Sequence, residues 1–91
     1  MSPYMGGSAL GMAEQILEGY VLLTSVQLKR LTDPEMDQLQ FEVERKLRDL
    51  RGAVVPQDDI PAIQARSRKL MRLSGAIQQI QATRAKRKRG M

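Results

Sequence analysis

The sequence contains no histidine, cysteine or tryptophan and only one phenylalanine. Without His and Cys, the chain lacks the usual ligands for soft or borderline metal ions, any thiol nucleophile, and the commonest general base near neutral pH. The absence of Cys also excludes a disulfide framework. We therefore expect a protein that is not an enzyme and that has no metal site and no cofactor.

Long apolar runs are also missing, although 42% of the residues are hydrophobic. The longest run, Tyr20–Leu23, is followed by the polar Thr24 and falls far short of the roughly 18 apolar residues that span a bilayer. The first dozen residues contain no Lys or Arg, whereas a secretory signal peptide starts with a positively charged region. We expect one domain in 91 residues, no integral membrane association, and a cytoplasmic location, or a nuclear one in a eukaryote.

Acidic residues are absent from the last third of the chain. Residues 1–60 carry six bases and all ten acids, a net charge of −4, whereas residues 61–91 carry nine bases and no acid, a net charge of +9. The overall charge of +5 thus hides a strong asymmetry. Such asymmetry favours a polyanionic partner, nucleic acid first and anionic membrane second. The alternative is that the two parts neutralise each other as packed helices.

Apolar spacing predicts three helices, over 11–31, 33–51 and 60–83, after a flexible lead-in at 1–10 and before a basic tail at 84–91. The second helix has the clearest boundaries. Thr32 and Glu35 form a capping-box pattern around Pro34, and Gly52 at the other end is suited to a left-handed C-terminal turn. For the third helix, Asp59 is the expected N-terminal cap.

These lengths predict an all-α fold: a three-helix unit with a tight corner between the first two helices and an antiparallel hairpin of the second and third. The first helix is apolar over a wide arc, and large side chains are few. We therefore expect a homodimeric helical bundle, with a monomeric three-helix bundle as the alternative.

One face of the third helix is basic and amide-rich and has no acid, as contact with a phosphate backbone requires. Arg66 points into the apolar stripe, where it should pair with Glu42, Glu44 or Asp49, or else lie along the core with its head group in water. The tail should be frayed when free, because its bases repel one another. The predicted nucleic-acid contacts are Arg68, Arg72, Arg84, Lys86, Arg87, Lys88 and Arg89.

The main hypothesis is a small, non-enzymatic architectural or accessory protein that binds DNA or RNA with weak sequence preference. Five acids make the second helix a poor recognition helix, and the basic segment holds no aromatic side chain for stacking on bases. Among the carboxylates, Asp58 and Asp59 stand at a helix start, where capping explains them better than acid–base catalysis.

The second hypothesis is a helical protein-interaction module, such as an adaptor, assembly factor or regulatory subunit. It would dock through the apolar face of the first helix, which needs cover on two sides. The residues predicted to face a partner or a second copy are Ile16, Leu17, Tyr20, Val21, Leu28 and Phe41.

Overall fold

A computed structural model describes Tyr4 and residues 7–89 of the chain, without the side chain of Arg89. The described residues form four helices and no strand: α1 Ala9–Glu18, α2 Ser25–Leu28, α3 Asp33–Gly52 and α4 Ile60–Arg89. The all-α prediction is confirmed, and the four helices pack together. None of the described helices is long and apolar enough to cross a membrane.

The prediction of a single helix over 11–31 is wrong, because α1 ends at Glu18 and the chain turns at Gly19. Gly19 is left-handed, with φ 80°, and its N–H donates to the Ile16 carbonyl at 3.1 Å while the Tyr20 N–H donates to the Gln15 carbonyl at 2.9 Å. These two bonds form a Schellman turn, which satisfies the last carbonyls of α1. The chain then continues without regular secondary structure to Thr24, whose backbone is extended, before α2 begins.

We expect Gly19→Ala to lower the free energy of unfolding by about 1–2 kcal/mol, because a left-handed residue with a Cβ is strained. The added Cβ would also lie 2.8 Å from Cζ of Arg72 and displace that side chain. Gly75→Ala is the matched control. Gly75 lies in α4 with open space around it, so its replacement should raise the same free energy by about 0.5–1 kcal/mol. Urea unfolding measures both, and equal effects would contradict the assignment of the turn.

Helix α3 matches the second predicted helix closely. The Thr32 N–H donates to Glu35 Oε1 at 2.7 Å and the Glu35 N–H to Thr32 Oγ1 at 3.3 Å, which is the predicted capping box. The far end differs. Gly52 stays within the helix and is not left-handed, and the chain leaves through an extended Ala53.

Helix α4 begins as predicted, since the Ala62 N–H donates to Asp59 Oδ1 at 3.1 Å. It extends to Arg89, beyond the predicted end at residue 83, so the first six tail residues are helical. Thirty helical residues span about 45 Å, which accounts for most of the 51 Å length of the protein. α3 and α4 run in opposite directions, because Asp33 at the start of α3 contacts Arg87 near the end of α4.

The core lies where α1 and the following segment pack against α3 and α4. Ala9 and Ala13 are buried small residues that let α1 approach its neighbours closely. The wide apolar arc of the predicted first helix is thus largely covered within one chain. The larger fully buried side chains are Met12, Leu28, Met36, Leu39, Val43, Leu73 and Ile80.

Half of the predicted lead-in, residues 1–3, 5 and 6, lies outside the described residues. Tyr4 is described, and its hydroxyl donates to the Glu35 carbonyl at 2.9 Å. Burial and the nearby Glu35 carboxylate raise the pKa of the Tyr4 hydroxyl above its usual value, since both disfavour the phenolate. Helix α1 starts earlier than predicted, at Ala9, where Ser8 Oγ accepts from the Gly11 N–H at 2.9 Å.

Candidate nucleic-acid interface

Two of the predicted phosphate contacts hydrogen-bond to the ends of neighbouring helices. Arg72 Nη1 donates to the Leu17 carbonyl in the last turn of α1 at 3.2 Å. Arg87 Nη2 donates to the Leu28 carbonyl, the last residue of α2, at 3.0 Å. Final helical carbonyls lack a partner within their own helix and carry partial negative charge, so a guanidinium stabilises them. Arg72 and Arg87 therefore fasten α4 to α1 and α2.

Arg66 plays the same part at the end of α3. Its Nη2 lies 3.5 Å from the Arg51 carbonyl. The expected pairing with Glu42, Glu44 or Asp49 is wrong. Glu42 is largely buried and its Oε1, 3.7 Å from Arg45 Nη1, has no hydrogen-bond partner. α4 thus supplies an arginine to the C-terminal turn of each of the other three helices.

The carboxylates at the start of α3 pair with the basic end of α4. Arg84 forms an ion pair with Asp37, and its Nη1 donates to Gln40 Oε1 at 3.0 Å. Arg87 Nη1 lies 3.1 Å from Asp33 Oδ1. Part of the basic charge is therefore neutralised inside the molecule, as the packed-helix alternative expects.

A further pair joins α4 to α1. Lys69 Nζ lies 3.9 Å from Glu18 Oε1, and both side chains are partly exposed. At that distance and exposure the pair contributes little to stability, since exposed pairs give about 0–1 kcal/mol. It lies in the first half of α4, away from the bases at the end of that helix.

Three of the predicted nucleic-acid contacts have no partner within the described residues. Within the described residues, Arg68, Lys86 and Lys88 are exposed and form no hydrogen bond or ion pair. Arg68 and Lys86 share one face of α4 but lie eighteen positions apart, about 27 Å along the axis. Arg89 ends the helix, and its side chain lies outside the described part of the chain.

Sequence reasoning missed two bases, Lys29 and Arg30. Both are exposed and unpaired within the described residues. They follow Leu28, whose carbonyl accepts from Arg87, so the backbone places them at the same end of the molecule as the last turns of α4. We call the four unpaired bases here the basic end: Lys29, Arg30, Lys86 and Lys88.

An antiparallel hairpin of the second and third helices already contained the signal for this cluster. Lys29 and Arg30 stand just before the start of the second helix, and that start must lie beside the end of the third. The predicted single helix over 11–31 obscured the signal, because it placed both bases on the last turn of a long helix.

A groove of about 970 Å³ lies next to the basic end, between the start of α3 and the end of α4. Its described lining contains three bases, two glutamine amides and one acid. The lining residues are Asp33, Gln40, Gln81, Arg84, Ala85, Arg87 and Lys88. Such a lining offers donors for anionic oxygens and for nucleotide edges.

The residues predicted to face a partner differ in how far they are buried. Ile16 and Leu28 lie in the core of this chain, which removes them from any interface of the folded protein. Leu17 and Val21 are half-buried, whereas Phe41 is 52% exposed and Tyr20 is 80% exposed.

A different apolar surface is exposed instead. Leu22 is 82% exposed on the segment between α1 and α2, and Met71 on α4 is 72% exposed. Both line a shallow groove of about 190 Å³. Neither residue was among the predicted contacts, and Met71 lies off the apolar stripe of α4.

The described residues contain no group of three or more acidic, His or Cys side chains that could hold a metal ion. Asp59 caps α4 through Ala62, as its position predicts. No family model, curated protein or solved structure matches this chain. Its function is therefore inferred from the placement of these charges.

Proposed function

We propose that the protein binds nucleic acid through the phosphate backbone, as a non-enzymatic architectural or accessory factor. The observation that carries the proposal is the basic end, where four exposed bases from two distant segments meet and have no partner within the described residues. Free Lys and Arg that neutralise phosphates release condensed counterions, and this release drives sequence-independent binding.

The surroundings of these bases favour nucleic acid over a lipid surface. A helix that lies on a membrane carries large apolar side chains on the face opposite its bases. After Ile80, α4 has no apolar side chain larger than those of Ala82 and Ala85. The chain's aromatic residues are Tyr4, Tyr20 and Phe41, none in the basic segment, so stacking on bases contributes little and sequence preference should be weak.

Salt-dependent binding of the full chain to labelled duplex DNA and to labelled duplex RNA, followed by fluorescence anisotropy, tests the proposal. Four phosphate contacts should lower the affinity about 100-fold between about 50 mM and 200 mM salt. Comparison of the two duplexes shows which backbone is preferred. Absence of binding to both at low salt, or an affinity independent of salt, would contradict the proposal.

A second candidate is a protein-interaction module, favoured by the exposed Leu22 and Met71, which line one groove. Its surface is the segment between α1 and α2 and the side of α4 that faces it, rather than the buried face of α1. A homodimer joined there belongs to this candidate. A mass measurement in solution that gives only a monomer would exclude the homodimer. The substitution Leu22→Asp should then leave both the oligomeric state and nucleic-acid binding unchanged.

A further inference from the structure

Two arginines beside the basic end are held by carboxylates of the same chain. Arg84 pairs with Asp37 and Arg87 with Asp33. The two aspartate side chains are 59% and 73% exposed, so water and salt screen both pairs. Exposed pairs of this kind are weak, and many contribute almost nothing measurable. Removal of the carboxylates should therefore cost the fold little and leave both guanidinium groups open to another anion.

The groove between α3 and α4 has the chemistry to receive such an anion. Arg84, Arg87 and Lys88 line it, and Asp33 is the one acid among the described lining residues. Arginine forms paired, charge-assisted hydrogen bonds to phosphate at least as readily as to carboxylate. Lys88 has no partner among the described residues and adds a third positive charge.

Its glutamines complete the site. Gln40 accepts from Arg84 through Oε1, which leaves its amide N–H groups available, and Gln81 lines the opposite wall on α4. Amide groups donate to phosphate oxygens and to sugar hydroxyls. The groove is thus equipped for a phosphodiester segment.

We propose that this groove is a phosphate-binding site in which Asp33 and Asp37 compete with nucleic acid for Arg87 and Arg84. The inference rests on the proposed function and specifies how strongly the surface can bind. In the free protein the aspartates occupy both guanidinium groups. These aspartates keep the phosphates of a backbone laid across the basic end from Arg84 and Arg87, so the affinity is lower than the number of bases would give.

The double substitution Asp33→Asn/Asp37→Asn tests this competition, with duplex DNA and duplex RNA as probes. Two more phosphates should be neutralised, so the slope of log affinity against log salt should steepen by about 0.9 for each, and the affinity should rise about tenfold or more at low salt. Asp49→Asn/Asp58→Asn is the matched control. It removes the same charge from exposed positions outside the groove, and its slope should stay near that of the wild type.

The substitution Arg84→Gln provides a second test. In the wild type it should change the affinity little, because Asp37 already neutralises Arg84. In the Asp33→Asn/Asp37→Asn background it should remove about one unit of the slope. Circular dichroism checks that Asp33→Asn, at the start of α3, leaves the helix content unchanged. Asp37 lies beyond the first turn of that helix, and Asp37→Asn alone should give half the change in slope.

The outcomes separate the two proposals. If neither duplex binds the wild type or the variants at low salt, the proposed function fails. If the wild type binds, but the Asp33→Asn/Asp37→Asn variant has the slope of its control, the internal competition is refuted and the proposed function stands. A stronger response of DNA than of RNA, or the reverse, identifies the backbone that enters the groove.

Discussion

Replacing Leu28 with alanine should lower the free energy of unfolding by about 2–5 kcal/mol. Leu28 is completely buried although it ends a helix of only four residues, and truncation of a buried leucine loses transfer free energy and leaves a cavity. A chain of 91 residues has a total stability of about 5–14 kcal/mol, so the loss is a large fraction of it. Urea unfolding of the two proteins gives the difference.

Leu22→Ala is the matched control for this prediction. Leu22 is 82% exposed and lies six residues before Leu28, so the same chemical change should alter stability by no more than about 0.5 kcal/mol. Equal losses for the two leucines would show that the α2 segment is not packed as described. The same comparison distinguishes a core role for Leu28 from the interface role that the sequence suggested.

Removing the basic end should abolish most of the salt dependence of nucleic-acid binding. In the variant Lys29→Gln/Arg30→Gln/Lys86→Gln/Lys88→Gln, each base that contacted a phosphate should take about one unit from the slope of log affinity against log salt. The loss of about four units corresponds to the loss of nearly all the roughly 100-fold salt effect expected for the wild type.

The fold of that variant should be unchanged, since all four side chains are exposed and unpaired within the described residues. Far-UV circular dichroism and urea unfolding verify this point. A variant that folds normally and retains the wild-type slope would mean that the phosphates are bound elsewhere on the protein.

Helix α3 could be predicted from the sequence almost to the residue, because its signals are local. Its capping box and its buried positions every three or four residues need no knowledge of the rest of the chain. The error over 11–31 has a physical cause. Apolar residues continue at helix-like spacing through Gly19, so periodicity alone hides the left-handed turn there and the separate cap at Thr24, whose N–H donates to Gln27 Oε1 at 2.8 Å.

The candidate site was less predictable, because its decisive contacts join residues far apart in sequence. Counting charges assigned Arg72 and Arg87 to phosphates, but backbone carbonyls 55 and 59 residues away bind them. Carbonyl acceptors do not appear in a charge count. Lys29 and Arg30 stand just before α3 and so beside the end of α4 in the predicted hairpin, but the single helix predicted over 11–31 obscured this signal.

The central claim is that two separate segments form one basic surface, and the pair Lys29 and Arg30 tests it most directly. The measurement is the salt slope of duplex binding for Lys29→Gln/Arg30→Gln beside Arg48→Gln/Arg51→Gln, an equal loss of exposed charge toward the other end of α3. The first variant should lose about two units of slope and the second almost none. Equal slopes for the two variants would contradict it.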